Sequence, residues 1–296
     1  MLFIVKRKMK ITLNEKIAVA SILILATINI FIWRAVLAAG ADTLHVHFFD
    51  VGQGDAIYIR TPAKQDILID GGPDSSVLAK LGQTMPFYDR KIELMILTHP
   101  HADHMEGLVD VLERYEVEQV LYSGVEYKSA TYNEWQKLIA TKNIPTKIAQ
   151  AGQTVQLGEA KVDILFPDSN LKGESIKNVN NASVVGKLTF DQNTFMFTGD
   201  AEEEIEKSLL YQFPGDMLNS NVYKAGHHGS KTSNKKGFVA AVKPEVAVIS
   251  VGKDNKYKHP AESTLQTFAG MGATIYRTDQ DGDVECWSDG VELECS

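Results

Sequence analysis

The segment Thr98-His99-Pro100-His101-Ala102-Asp103-His104 places the tightest constraint on what this chain can become. Three of the eight histidines fall within it, with a carboxylate beside them, directly behind the apolar run Leu94-Met95-Ile96-Leu97. Imidazole nitrogens and carboxylate oxygens, with no thiolate among them, suit zinc, manganese or iron. Pro100 interrupts any regular element. The segment therefore reads as a turn closing a strand, with a helix from Glu106 to Tyr115 behind it. Four donors this close can serve two adjacent metals, provided other strand ends bring further ligands to the same rim.

The remaining pattern supplies such ends. Period-two and short apolar runs predict strands at Leu44–Phe49, Ala56–Arg60, Asp66–Ile69, Glu93–Leu97, Gln119–Tyr122 and Ala160–Phe166. Others are expected at Ser183–Phe190, Thr194–Thr198, Ser220–Lys224, Val246–Val251, Thr274–Arg277 and Val284–Trp287. Helical patterns fall at Ser75–Leu81, Glu106–Tyr115, Thr131–Thr141, Glu202–Tyr211, Lys235–Ala241 and Ser263–Met271. Single helices between groups of strands fit an α/β fold of two packed sheets with helices outside, a four-layer αββα sandwich. Asp50, Asp70 and Asp200 each follow an apolar run, as do His227 and His228, and His259 lies in the loop after Val251. Ligand-type side chains at so many strand ends point to one shared edge, where loops on a rigid scaffold carry chemistry.

The first 41 residues differ from the rest. Lys6, Arg7, Lys8, Lys10 and Lys16 precede an apolar stretch over residues 17–39, long enough to cross a bilayer, which takes about 20 residues. Positive charge ahead of it keeps the N-terminus cytoplasmic and sends residues 42–296 outward. Two readings stand: an uncleaved membrane anchor, or a signal peptide cut near Ala38-Ala39-Gly40-Ala41. The two cysteines, Cys286 and Cys295, form no zinc motif, and an oxidising compartment permits a disulfide stapling the last hairpin. The chain carries a net charge of −8, and its basic N-terminus leaves the remainder more acidic still. Against that body, eight lysines between Lys224 and Lys258 form a basic strip suited to an anionic substrate.

Taken together, these motifs resemble the metallo-β-lactamase superfamily, and more narrowly the extracytoplasmic hydrolase domain of ComEC-type competence proteins. The resemblance rests on Phe49-Asp50-Val51-Gly52-Gln53-Gly54-Asp55-Ala56, Leu68-Ile69-Asp70-Gly71-Gly72-Pro73 and the histidine cluster. It continues through Asn181-x-Ser183, Phe197-Thr198-Gly199-Asp200, His227-His228-Gly229-Ser230-x-Thr232-Ser233, Tyr257-x-His259-Pro260 and Arg277-Thr278-Asp279-x-Asp281-Gly282. The likeness implies two divalent metal ions, zinc or manganese. His99 and His101 would hold the first, Asp103 and His104 the second, with Asp200 bridging and Asp70 fixing a ligand ring from behind. The superfamily usually has a further histidine near Asn181 to Ser183, but this chain has none between His104 and His227. His228 is expected to substitute at the first metal and His259 to complete the second. His227 would then face substrate as proton donor, although His227 and His228 could be exchanged.

Asn181, Ser183, Ser230 and Lys231 are the candidate substrate contacts, and Gly52 and Gly54 are expected to bring backbone amides near the metals. His45 and His47 read as exposed strand positions and are left out of the site. The implied function is extracytoplasmic hydrolysis of a phosphodiester such as DNA, through hydroxide generated at the metal pair, with Asp103 able to take a proton. The DNA-uptake machinery is the implied partner, and the N-terminal helix the implied link to a membrane. A phosphorylcholine-esterase-like enzyme would need an aromatic cage, for which Tyr122, Tyr127, Tyr132, Trp135 and Tyr257 are available. A non-catalytic, metal-stabilised accessory is the third reading, supported by the missing histidine.

Overall fold

The computed structural model describes residues 12–39 and 43–296. The basic residues Lys6 to Lys10, and the Gly40-Ala41 end of the expected cleavage site, lie outside the described residues. The chain divides into two units, residues 1–42 and 43–296. The first contains α1 (Leu13–Ala39), whose stretch Lys16–Trp33 is long and apolar enough to cross a membrane, a test that a signal sequence also passes.

The second unit runs through β1 (Leu44–Phe48), β2 (Ile57–Arg60), β3 (Asp66–Ile69), α2 (Ser76–Thr84), β4 (Lys91–Ile92) and β5 (Leu94–Leu97). It continues with α3 (Ala102–Arg114), β6 (Glu116–Val117), β7 (Val120–Tyr122), α4 (Ala130–Thr141) and β8 (Thr146–Ile148). The next stretch comprises β9 (Thr154–Leu157), β10 (Ala160–Phe166), β11 (Val185–Phe190), β12 (Asn193–Phe197), α5 (Glu203–Gln212) and β13 (Val222–Lys224). Last come α6 (Lys236–Val242), β14 (Val246–Ile249), α7 (Glu262–Gly270), β15 (Thr274–Arg277), α8 (Thr278–Asp281), β16 (Val284–Ser288) and β17 (Leu293–Cys295).

One sheet has the order β17-β16-β1-β2-β3-β5-β7-β8, the other β15-β14-β13-β12-β11-β10-β9, and β4 and β6 form a small parallel pair. Alternation along the strands builds the layers. Ile67, Ile69, Leu94 and Ile96 meet Val162, Ile164, Phe195 and Phe197 between the sheets. Their neighbours Leu68, Met95 and Leu97 face outward onto Val77, Leu108 and Trp135 of α2, α3 and α4. On the far side Met196, Tyr223 and Ile249 pack on Ile205, Phe238 and Phe268 of α5, α6 and α7. Each fully buried side chain of this kind contributes about 1.5–3 kcal/mol. The fold is the expected four-layer sandwich.

Half of each sheet is parallel: β3-β5-β7-β8 in one, β12-β13-β14-β15 in the other. Parallel strands send their C-terminal ends to one side, the usual place for a ligand in such sheets. Asp70, His99, Asp200 and His227 all follow strands of these parallel halves.

Two differences from the sequence pattern matter. α3 begins at Ala102, not Glu106, so Asp103 and His104 ride on a helix rather than in a turn. There Asp103 lies in the first turn, where its charge faces the unpaired amides of the helix start. Strands β8, β9 and β17 escaped the pattern because they lie at or near sheet edges, where polar residues replace apolar alternation.

The loop after β13 is anchored from beneath. Asn234 uses its side chain to accept from Gly226 N (2.8 Å) and donate to Gly226 O (2.8 Å). Glu206 of α5 accepts from the amides of Asn234 and Lys235 at 2.5 and 3.0 Å. Burial pushes the Glu206 carboxyl up to about 7, against the pull of those amides. A folded-state value above the unfolded one means stabilisation complete below about 4.5 and lost progressively as pH rises to about 7. Glu206→Gln is expected to flatten that part of the stability curve, measured by denaturant unfolding from pH 4.5 to 7; an unchanged slope counts against it.

Cys286 and Cys295 are bonded across the β16–β17 hairpin, where they are register partners. Replacing both by serine is expected to lower stability by roughly 2–3 kcal/mol, by the loop-closure argument for so short a loop. Equal thermal midpoints with and without reductant would contradict this.

Candidate metal centre

The first turn of α3 is locked to two loops through its backbone. Asp55 N donates to Asp103 O (3.1 Å), Gly71 N to His104 O (2.7 Å) and Gly107 N to Gly72 O (3.2 Å). A Cβ on Gly54 would lie 2.2 Å from Asp103 O, and one on Gly107 would lie 2.0 Å from Gly71 O. Glycine at these positions thus permits the close approach that sets Asp103 and His104. The Asp55 amide is spent on this contact, and the Gly52 amide donates to Asp50 Oδ1 (3.1 Å).

Asp200, buried after β12 with its amide donating to Ser183 Oγ (3.0 Å), stands between two sets of donors. Its Oδ2 lies 3.7 Å from both His99 Nε2 and His227 Nε2. Its Oδ1 lies 3.3 Å from His104 Nε2 and 3.6 Å from His228 Nε2. His99 Nε2 is 3.1 Å from His101 Nδ1, and His228 Nε2 is 3.4 Å from Asp103 Oδ2. One group able to hold a metal is therefore His99, His101 and Asp200, and a second is Asp103, His104 and His228. Within each group the donor atoms lie within 4.8 Å of one another.

The rear nitrogens are held as metal ligands need them held. His104 Nδ1 donates to Asp70 Oδ2 (2.8 Å), whose carboxylate also accepts from Thr98 N and Thr98 Oγ1. His228 Nδ1 donates to Ser250 O (2.9 Å). His227 Nδ1 lies 3.2 Å from Thr232 Oγ1. In each case Nε2 is left facing the centre.

Charge and hydrogen bonding both fit a cation here. Asp55, Asp70 and Asp200 are buried, and Lys224 is buried beneath them in an ion pair with Asp55. Burial acts to raise the Asp200 carboxyl, but the His228 and His104 imidazoles outweigh it and hold it well below the usual range. Burial acts to lower His228, yet Asp200 and Asp55 push it up to about 9; His104 is raised for a similar reason, by Asp200 and Asp70. Without a metal, protons serve as the counter-charge. Among the described residues, the buried atoms Asp200 Oδ1, His104 Nε2 and His228 Nε2 have no hydrogen-bond partner, although they face one another. A divalent cation would satisfy all three.

The structure regroups several expected residues. His228 joins Asp103 and His104 rather than His99 and His101, while His227 lies on the His99 side. Both residues are left-handed (φ 50° and 52°), so their rings turn toward the same carboxylate instead of alternating as along a strand. His259 belongs to neither group; its ring stands 5.7 Å from His227 and stacks on Tyr257.

A cavity of about 350 Å³ opens over the centre, lined by residues that include Gln53, His101, Asp103, Tyr127, Asn180 and Tyr257. Asn181, Ser183, Ser230 and Lys231 do not line it. Asn181 is held by Glu202 N and Glu204, Ser183 and Ser230 are buried, and Lys231 is exposed elsewhere. The basic strip is dispersed too. Lys224 is buried, Lys235 pairs with Glu203 and Lys243 with Asp216, leaving Lys231 and Lys236 exposed at and just before the start of α6 and Lys253, Lys256 and Lys258 exposed in the loop after β14. Of the five aromatics considered for a cage, Tyr132 and Trp135 are core residues and Tyr122 packs on Trp135, so Tyr127 and Tyr257 alone reach the cavity. Asp55 was missed as a functional residue, though it stands in the Gly-Gln-Gly-Asp loop. Gln53 stands in the same loop, Tyr127 is among the aromatics considered for a cage, and Asn180 carries no comparable local signal as a cavity residue.

The chain is 26% identical over 257 residues to ComE operon protein 3 of Bacillus subtilis, and 28% identical over 251 residues to competence protein ComA of Neisseria gonorrhoeae. Each comparison covers 81% of this chain and 32% of the relative, so the chain spans about a third of the length of these curated relatives. Among solved structures, the metallo-beta-lactamase fold protein YhfI of Bacillus subtilis superposes with a TM-score of 0.53 at 12% identity, covering 79% of this chain and 96% of YhfI. That likeness shows the fold alone. Residues 49–253, well over half of the chain, match the family described as the metallo-beta-lactamase superfamily. With its strand-end histidines and aspartates gathered at one rim of an αββα sandwich, this chain belongs to the metallo-beta-lactamase superfamily and is similar to the ComEC-type competence proteins.

Proposed function

We propose that this protein is a metal-dependent hydrolase of phosphodiesters that works outside the cytoplasm, with DNA as its substrate. The observation that carries the reading is Asp200, which turns one oxygen to each of two donor groups beneath an open cavity. His99, His101 and Asp200, with His227 beside them, would hold one divalent cation; Asp103, His104, His228 and Asp200 would hold the other. Such a pair supplies Lewis acidity toward phosphoryl oxygens and makes a water acidic near neutral pH. The chain's own part is placement. Asp70, Thr98 and Ser250 O keep the imidazoles from rotating, and Lys224 offsets the buried charge behind them.

The cavity wall supports a nucleic-acid strand. Tyr127 and Tyr257 offer aromatic faces to bases, which stack with little regard to sequence, and Gln53 and Asn180 offer amides. Lys253, Lys256 and Lys258 lie in the loop that carries Tyr257, and neutralise phosphates along a backbone. Burial and the neighbouring His227 and His228 lower His259 to about 4, so at neutral pH it accepts a hydrogen bond rather than delivering a proton. The dispersal of the aromatic cage weighs against a choline-recognising enzyme. Two donor groups assembled without the missing histidine weigh against a purely structural metal. The apolar α1 and the similarity to competence proteins support an extracytoplasmic, membrane-linked setting near DNA uptake.

Asp103→Ala is expected to abolish turnover of DNA and of bis-nitrophenyl phosphate by manganese- or zinc-loaded protein, while the thermal midpoint shows the fold retained. If wild type turns over the small diester but leaves DNA and RNA intact, the substrate assignment fails and the phosphodiesterase survives. No turnover of either sinks the reading. Asp70→Asn, which disturbs the partner of His104, is expected to reduce metal affinity or activity by about 10–100-fold. Metal titration against wild type checks this, and equal affinity and rate would contradict it.

A further inference from the structure

β1 carries a second cluster of metal-type donors. His45 and His47 are two residues apart, so they share the face opposite Leu44, Val46 and Phe48, which point between the sheets. Across the antiparallel ladder Glu285 of β16 is the register partner of His47. The three side chains therefore meet for reasons of sheet geometry. His45 Nδ1 lies 2.8 Å from Glu285 Oε1 and His47 Nε2 lies 3.7 Å from the same oxygen. One donor atom from each falls within 4.8 Å of the other two. The imidazole rings are nearly parallel, 11° apart, with centroids separated by 6.2 Å.

The surroundings favour a cation over an ordinary surface ion pair. A cavity of about 640 Å³ opens over the cluster, bordered by Tyr58, Arg60 and Asp283 as well as the three donors. It shares no lining residue with the cavity above Asp200. Arg60 does not compete for Glu285, because its guanidinium is committed to Asp66 (2.9 Å) and Asp89 (3.3 Å). Asp283 adds a second carboxylate and is itself bridged to Lys80. His45 Nε2 is engaged by Thr43 Oγ1 at 3.0 Å, which orients the ring and leaves Nδ1 toward Glu285. His47 stacks against Phe49 and Tyr58, which hold its ring in place.

We propose that His45, His47 and Glu285 form a separate binding site for a borderline divalent cation such as zinc, with water completing the coordination. Two imidazoles and one carboxylate select zinc, copper or nickel over magnesium or calcium, whose ligands are oxygens. Such an ion would tie β1 to β16, the strand that the disulfide joins to β17. It would brace the edge of the sheet away from the hydrolytic centre. This site does not depend on the proposed reaction.

The test is zinc titration of the full chain by calorimetry, with metal content measured after gel filtration. The variants are His45→Gln/His47→Gln and, separately, Glu285→Gln, which leaves both imidazoles in place. Wild type is expected to bind one zinc ion more per chain than the double variant. Glu285→Gln is expected to weaken that one binding event at least tenfold, while diester hydrolysis stays within twofold of wild type. Magnesium at the same concentration is expected not to occupy the site. Equal zinc stoichiometry in wild type and double variant overturns the proposal. Should the double variant fail to fold, unchanged zinc affinity in Glu285→Gln overturns it equally.

Discussion

Four carboxylates, Asp55, Asp70, Asp103 and Asp200, converge on one rim, and three of them are almost wholly shielded from water. Buried charge of this density is strongly destabilising unless compensated. The protein compensates from both sides. Lys224 lies beneath, paired with Asp55, and imidazoles stand above, with His104 and His228 driven to hold protons when no metal is present. A metal pair would displace those protons and complete buried nitrogen and oxygen atoms that otherwise lack partners. The site's affinity for cations is thus a property of the fold's own electrostatics.

Holding such a rim together requires a scaffold that does not yield. The sandwich supplies it by sending parallel strands from both sheets to the same side, and by docking α3 backbone-to-backbone on the loops after β1 and β3. Left-handed backbone at Asp70, His227 and His228 is the local expense, of order 1–3 kcal/mol for each such residue. Glu206 and Asn234 offset it by clamping the loop that carries the two histidines. The same rigidity lets two histidines of β1 and a glutamate of its neighbour β16 meet without any loop at all.

Much of this was legible in the chain. The histidine cluster, Asp70 and Asp200 behind apolar runs, and the paired cysteines are local patterns, and the layers follow from strand alternation. The grouping of ligands was not legible. His228 lies with Asp103 and His104 rather than with His99 and His101, because the left-handed turn at 227–228 abolishes the alternation that extended backbone would give, and His259 stands beside His227 in neither group. The lysine strip misled for another reason. Nearness in sequence said nothing of Lys224 being buried on Asp55, or of Lys235 and Lys243 being paired with α5 and the segment after it. A hydroxyl near a motif looks the same in the chain whether it faces substrate or, as Ser183 does, accepts from the Asp200 amide.

Donor chemistry, strand endings and the layered architecture were determined by the order of residues alone, since each rests on contacts or periodicities spanning a few positions. Which oxygen of Asp200 faces which histidine, that Asp55 and Lys224 share a buried pair, and that Glu285 lies against His45 and His47 were decided by tertiary structure. These pairings join residues tens to hundreds of positions apart, and their distances depend on sheet register and packing across layers, which no local pattern encodes.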